Sequence, residues 1–418
     1  MFQCPVYGFA NSHPENIALI YNSKSYSYYE LHVLLLSYTS YFLSLSIKPQ
    51  DRVFIRLENP FEMLLSIWAL FRIQAIAVPI SSKYPNKYQT LLKDRAQCTH
   101  DITHIPSLNT ETSSDLMSQL HLNKNTICNG ILTSGTTGTP KWAMHTIGNH
   151  HASATASQTI IPVVSTSKWL LSLPLHHVSG LSILFRVFIH GGTVVIPKKT
   201  ESLSQAIYNY SITHLSLVNS QLPLLFKKKF KSLNYILVGG GPAFDSYLSQ
   251  LSHLPLYTTY GLTECSSQVY TQGSLLPTIK LKLNSDGEIL IKGPALFEGY
   301  IDGNFITRDT TYDNYFKTGD IGYYDANGEL HISGRKDRMF VSGGENIYPE
   351  EIESILISHP FIKNAAVCPI NNSHYGKRPI AYIQTSHGIS VTDIKKHLTK
   401  FLPKFKHPDR FLDWQNKP

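Results

Sequence analysis

Short apolar runs of strand length alternate, through the first part of the chain, with longer segments whose apolar residues recur every three or four positions. Ser27-Tyr28-Tyr29-Glu30 reads as a capping box, a hydroxyl at the helix entry with a glutamate three positions on, and opens a helix that runs to Leu45. Residues 51–57 read as a strand, 61–72 as a second helix started by Asn59-Pro60, and Ala77-Val78-Pro79-Ile80 as a buried strand. Further strands are predicted over 169–175, 193–197, 214–218 and 235–238. Strands alternating with helices imply an α/β fold, a largely parallel sheet with helices on both faces. The pattern changes after Lys280: residues 287–293 alternate with period two, and Asn327-Gly328 is a hairpin turn, so a small β subdomain is expected. Beyond Gly334, Pro349 suits a first helical turn, and Ile352, Ile355 and Leu356 give residues 349–357 an apolar stripe. Strands over 365–369 and 380–384 and a helix over 391–401 complete an α+β unit. The expected organisation is a large domain over 1–334, a tight junction over 335–337 without a low-complexity linker, and a small domain over 338–418.

At 418 residues the chain exceeds one ordinary core, which agrees with this division. Hydrophobic residues at 42% and charged residues at 16% suit a soluble globular protein. The net charge of +8 favours polyanionic ligands, but no nucleic-acid-binding motif accompanies it, so nucleic acid is not an expected partner. The Lys227-Lys228-Lys229 run reads as a solvated helix end. Five cysteines, widely spaced and without a CxxC pair, argue for a reducing compartment and against a disulfide frame or zinc site. The histidine pairs His150-His151 and His176-His177 are adjacent rather than at the i, i+4 spacing of a helical metal site. The apolar stretch 33–45 is interrupted by serine and threonine and is too short to span a bilayer. With no secretory leader visible at the N-terminus, the expected location is cytoplasmic, without stable membrane insertion.

The segment richest in chemistry is Thr133-Ser134-Gly135-Thr136-Thr137-Gly138-Thr139-Pro140-Lys141. Its glycines permit close backbone approach and its hydroxyls and N–H groups can wrap a polyphosphate, with Lys141 as a mobile point charge. The spacing differs from a Walker A loop, since the lysine follows proline. Downstream come Tyr260-Gly261-Leu262-Thr263-Glu264, Lys317-Thr318-Gly319-Asp320, Gly334-Arg335-Lys336-Asp337 and Ser342-Gly343-Gly344-Glu345-Asn346.

These five blocks, in this order, closely resemble the adenylate-forming superfamily of acyl-CoA synthetases, luciferases and peptide-synthetase adenylation domains, from about Tyr26 to about Asp413. The resemblance implies a two-step reaction with ATP, Mg²⁺ and coenzyme A. A carboxylate attacks the α-phosphate and expels pyrophosphate; the thiol of coenzyme A then displaces AMP. It implies that Thr133, Ser134, Gly135, Thr136, Thr137, Gly138 and Lys141 hold the β- and γ-phosphates, that Thr263 touches the α-phosphate, and that Glu264 binds Mg²⁺. Gly239, Gly240 and Gly241 form the adenine-side block, with Tyr260 and Gly261 beside the base. Asp320 takes the ribose hydroxyls, a role open to an acceptor-only carboxylate, and Arg335 adds a ribose or phosphate contact. Gly343 and Gly344 line the pantetheine path once the C-terminal domain rotates about Asp337.

In the block Leu173-Pro174-Leu175-His176-His177-Val178-Ser179-Gly180, the resemblance implies that His177 lies beside the acyl site, and with Arg186 and His374-Tyr375-Gly376-Lys377-Arg378-Pro379 this block looks most like the 2-succinylbenzoate–CoA ligases of menaquinone synthesis. That acid carries two carboxylates, and Arg186 is the candidate cationic anchor for the one that does not react. A ligase for another aryl or fatty acid, and an adenylate-binding protein without efficient turnover, stay open as alternatives, as does homo-oligomerisation. The chain departs from the family in one place: no Gly-Lys pair follows Asp413; Lys417, the candidate substitute, lies too early and lacks the glycine, and Lys404 and Lys406 read as surface charges. Loss of one preorganised charge costs about a hundred- to a thousandfold in rate, so slow adenylation with thioester formation largely intact is the expectation.

Overall fold

The capping box forms as encoded: the Ser27 hydroxyl accepts from the Glu30 N–H at 3.2 Å, and the Glu30 carboxylate accepts from the Ser27 N–H at 2.8 Å. The helix it opens, Tyr28–Ser44, packs with Pro60–Arg72 and Val178–His190 around the largest hydrophobic cluster. Trp68 is its centre, with ring centroids 5.3 Å from Phe185 and 5.1 Å from Phe188. The computed structural model describes residues 2–108, 121–133, 141–241, 245–302, 305–386 and 388–417.

Among the described residues two large sheets carry the N-terminal part. One has nine strands, and its interior strands Ile17–Tyr21, Thr193–Ile196, Lys168–Leu170, His214–Val218, Tyr235–Gly239 and Leu256–Leu262 run parallel. The other has seven, including Arg52–Ile55, Ile76–Pro79, Ile127–Thr133 and Lys141–Thr146. A four-stranded antiparallel sheet follows, built from Lys280–Leu283, Glu288–Lys292, Phe316–Tyr324 and Leu330–Arg335. The C-terminal part pairs Ile362–Asn372, Gly376–Thr385 and Phe411–Asp413 under helices Pro349–Ile357 and Val391–Thr399. No described helix is long and apolar enough to cross a membrane.

Three expectations need correction. The strand predicted over 169–175 is only Lys168–Leu170; Pro174 has no N–H for a ladder, and the Ser172 hydroxyl bonds the Ser216 carbonyl instead. The stretch after Lys280 is not wholly a separate β unit. Gly299–Asp302 leaves it to pair antiparallel with Lys141–Thr146, bringing Tyr300 opposite Ala143. The Lys227-Lys228-Lys229 run follows a 3₁₀ helix, Asn219–Leu225, and is solvated in an irregular segment rather than at an α-helix end.

Candidate functional site

The strand Leu256–Leu262 ends at a short 3₁₀ helix, Thr263–Cys265, and returns antiparallel as Ser267–Thr271. A bulge lies between Tyr260 and Gly261, and a Cβ at Gly261 would sit 2.0 Å from the Ser267 carbonyl oxygen. Glycine is therefore required for the two strands to approach here. We expect Gly261→Ala to lower stability by about 1–3 kcal/mol, the usual cost of overpacking. Thermal unfolding checks this; a variant of unchanged stability would contradict it.

The Tyr260 hydroxyl donates to Asp320 Oδ2 at 2.7 Å. Burial, and then the Asp320 charge, push the Tyr260 pKa well up, so the phenol stays a donor. Asp320 and Arg335 are direct partners in the antiparallel pair Phe316–Tyr324 with Leu330–Arg335. That register brings Arg335 Nη1 to 3.0 Å from Asp320 Oδ1, while Arg335 Nε donates to Asp337 Oδ1 at 3.1 Å. Burial alone would lower the Arg335 pKa; the two carboxylates outweigh it and raise it. Gly319 has φ +72°, and a Cβ there would lie 2.8 Å from Arg335 Nη2, so only glycine leaves the guanidinium its place. Gly239 closes the neighbouring parallel strand, and Gly240 and Gly241, at φ +80° and +156°, turn the exposed chain away at the carboxyl end of the sheet. Ligands of open α/β sheets bind at that end.

Thr133 and Lys141 face each other at the ends of the paired strands Ile127–Thr133 and Lys141–Thr146. The stem of the predicted phosphate loop is thus fixed; Ser134, Gly135, Thr136, Thr137 and Gly138 lie outside the described residues. Lys141 Nζ stands 5.2 Å from the centroid of the Tyr300 ring. The Tyr300 hydroxyl donates to Glu264 Oε1. Burial raises the Glu264 pKa, the Tyr300 hydroxyl opposes this, and Asp320 and Arg335 both act on the same carboxyl, so Glu264, Tyr300, Asp320 and Arg335 form one electrostatic unit. The Glu264 backbone is held as well: its carbonyl accepts the Phe297 N–H at 2.7 Å, and the preceding carbonyl, of Thr263, lies 2.7 Å from His145 Nε2.

Beside this cluster runs the helix Val178–His190, which ends at Gly191 with φ +77°. A Cβ at Gly180 would meet the Pro174 carbonyl oxygen at 2.2 Å, so this glycine lets the Leu173-Pro174 turn pack on the first helical turn. Phe185 and Phe188 point to the core, and Arg186 to the nine-stranded sheet. Arg186 is 2% exposed, donates from Nη2 to Ser267 Oγ at 2.9 Å, and lies 5.4 Å from the Trp169 ring centroid. Its Nε has no partner and no carboxylate pairs with it among the described residues. Burial pulls its pKa down to about 9. It is a charged, buried group with unfilled donor capacity, an arrangement that is costly unless an anion completes it.

The other predicted residues are not joined to this cluster by any described hydrogen bond. His177 is exposed at the entry to the same helix, its ring centroid 4.5 Å from that of His176, and partial desolvation lowers its pKa. Gly343 and Gly344, at φ +58° and +89°, form the two-residue turn between Phe340–Ser342 and Glu345–Ile347; the Gly343 N–H donates to the Tyr375 carbonyl at 3.0 Å. Lys417 Nζ lies 5.0 Å from the Trp414 ring centroid, and Lys406 pairs with Glu351 at 2.6 Å rather than standing free.

Tyr300 and His145 were not singled out in the sequence. His145 shares a strand face with Lys141 at period two, a signal available beforehand; its ring lies 5.0 Å from that of His150, which stacks on Phe185 at 4.5 Å. Tyr300 carried no comparable signal, since its place depends on a non-local strand pairing. Surface grooves of about 470 and 400 Å³ open elsewhere, the first beside Lys198 and Glu201 and the second beside Arg378 and His407, and neither includes Asp320, Glu264 or Arg186.

Comparison with known proteins identifies the family and its solved relatives. The family model described as AMP-binding enzyme matches residues 7–301, and that of the AMP-binding enzyme C-terminal domain matches 351–415. The 2-succinylbenzoate–CoA ligase of Bacillus subtilis (strain 168) is 30% identical over 443 aligned positions, covering 96% of this chain and 91% of that protein. The solved o-succinylbenzoate CoA synthetase of Bacillus subtilis in complex with its acyl-adenylate intermediate superposes with a TM-score of 0.89 at 29% identity, covering 100% of this chain and 95% of that one. The same protein in complex with ATP and a magnesium ion gives 0.87 at 28% identity, covering 100% and 96%.

Proposed function

Because the chain belongs to the AMP-binding enzyme family, we propose that it is an ATP-dependent acid–thiol ligase that converts 2-succinylbenzoate to its coenzyme A thioester in menaquinone biosynthesis. In the first half-reaction a carboxylate oxygen of the acid bonds to the α-phosphorus of ATP and pyrophosphate leaves. In the second, the thiol sulfur of coenzyme A bonds to the acyl carbon, the thiol proton is lost, and AMP leaves. The observation that carries the choice of acid is Arg186, a buried guanidinium with an unfilled donor and no carboxylate of its own. A substrate with a second carboxylate completes it; a simple aryl or fatty acid leaves it unpaired.

On this reading Asp320 accepts the ribose hydroxyls while Tyr260 and Arg335 hold its carboxylate in place, and the open backbone of Gly239, Gly240 and Gly241 lies along the adenine. Lys141 leaves the Tyr300 ring to reach the phosphates, whose loop includes Thr133 and residues 134–138, and Thr263 lies at the α-phosphate. His177 lines the acyl pocket. Glu264 fits a magnesium ion: it offers a hard carboxylate oxygen in a partly buried setting, with Oε1 taken by Tyr300 and no side-chain donor on its other oxygen among the described residues. When bound, that ion neutralises phosphate charge. Asp337, tied to Arg335 by one ion pair, is the proposed pivot between residues 1–334 and 338–418, and Gly343 and Gly344 serve the thiol step after rotation. Five unbridged cysteines support a cytoplasmic setting.

Pyrophosphate release with ATP, Mg²⁺ and 2-succinylbenzoate, with and without coenzyme A, tests this reading beside benzoate and a medium-chain fatty acid. Release confined to 2-succinylbenzoate, with thioester formed only when coenzyme A is present, is the expected result. Equal or greater release with benzoate or the fatty acid would overturn the choice of acid, and bound ATP with no release for any acid would overturn the activity.

A further inference from the structure

One segment grips Glu264 twice. The Phe297 N–H bonds its carbonyl, and three residues on the Tyr300 hydroxyl bonds its carboxylate. That segment is itself anchored: the Glu298 N–H donates to the Met144 carbonyl at 2.9 Å, Tyr300 is in register with Ala143, and the Phe297 and Tyr300 rings meet edge to face at 4.8 Å. A Cβ at Gly299 would lie 2.6 Å from the Thr307 carbonyl oxygen, so glycine is needed for this strand to close on its neighbour just before Tyr300. The outer face of the same ring carries the Lys141 ammonium at 5.2 Å. Two residues from distant blocks, one assigned to the metal and one to the phosphates, therefore meet on one tyrosine.

We propose that Tyr300 is a positioning residue with two separable duties: its hydroxyl fixes the Glu264 carboxylate so that the free oxygen faces the metal–nucleotide complex, and its ring is the holding position from which ATP draws Lys141. The inference rests on the reading of Glu264 and Lys141 given above. A hydrogen bond to a charged group corresponds to roughly a tenfold to hundredfold change in an equilibrium. A half-exposed cation–π contact corresponds to roughly two- to fivefold.

The two duties predict effects of opposite sign. Tyr300→Phe keeps the ring and loses the hydroxyl. Its half-saturating Mg²⁺ in pyrophosphate release should rise about tenfold or more, while its affinity for ATP in EDTA, measured by calorimetry, stays at the wild-type value. Tyr300→Leu also loses the ring. It should share the raised Mg²⁺ requirement yet bind ATP in EDTA about two- to fivefold more tightly, because Lys141 no longer has a competing contact. A merely structural role would weaken ATP binding in both variants, and that result overturns the proposal, as does an unchanged Mg²⁺ requirement in Tyr300→Phe. If the leucine variant does not fold, the phenylalanine variant decides alone, since the outcomes for its hydroxyl are unaffected. Wild-type protein that binds ATP without any Mg²⁺-dependent release would instead defeat the functional reading on which this rests.

Discussion

Replacing Arg186 with leucine is expected to raise the KM for 2-succinylbenzoate by about a hundredfold or more, to leave AMP affinity unchanged, and to make the free protein more stable. The first effect follows from removing a desolvated charge that pairs with a substrate carboxylate; truncating one partner of such a pair costs about 2–5 kcal/mol. The third follows from the same burial. In the free protein the guanidinium has one hydroxyl partner and the Trp169 face, with Nε unpaired. Exchanging a buried ionic group for an apolar one of similar volume is often neutral or stabilising, by about 1–4 kcal/mol. Arg186→Lys should recover part of the affinity, as a point charge without the planar fork. Steady-state kinetics, AMP titration and thermal unfolding together check this. Unchanged KM for the dicarboxylate would remove Arg186 from the acyl site. The sign of the pH effect is also fixed: burial lowers the Arg186 pKa to about 9, so charge is present at neutral pH and is lost as pH rises through that value. KM for the acid should therefore climb above pH 9 in the wild type and stay flat there in the leucine variant.

Asp320→Asn is expected to be the most damaging single change on the nucleotide side, lowering AMP affinity by about a hundred- to ten-thousandfold. The carboxylate is an acceptor only, and in the free protein it already takes hydrogens from Tyr260 and Arg335. An asparagine presents an NH₂ group to one of these donors or to a ribose hydroxyl, whichever way it is turned. Two hydrogen bonds to a charged group, at about 1.5–3 kcal/mol each, give that range. Stability should fall too, because Arg335 loses one of its two carboxylates and the partly buried Tyr260 hydroxyl loses its carboxylate acceptor. Equilibrium AMP binding and thermal unfolding measure the two effects; a loss of stability with AMP affinity preserved would show that Asp320 is structural.

Much of this arrangement can be read in the sequence, and the reason is local. Tyr260, Thr263 and Glu264 occupy one short segment, and Asp320 and Arg335 flank an Asn-Gly turn that sets their register, so motif and geometry coincide. Arg186 could be picked out as a cation in an otherwise apolar helix, although its burial could not be. The departures share a different cause. Tyr300 depends on a strand that crosses from one sheet into another, and the early end of Lys168–Leu170 depends on where Ser172 finds a backbone partner. Both are settled by pairing between segments far apart in the chain, which no window of residues records.

The hairpin around Gly261 has a metric consequence. Tyr260, Thr263, Glu264 and Ser267, the last of which supports Arg186, lie on a single ribbon folded back on itself with no room for a side chain at its tightest point. On the proposed reading, the interval from the nucleotide groups to Ser267, the support of Arg186, is thus ruled by covalent bonds, like marks on a steel rule. A longer or shorter acid cannot be fitted by stretching that rule. It has to be accommodated from the other side, by altering the helix Val178–His190, whose side chains can be exchanged one at a time while the ribbon stays as it is.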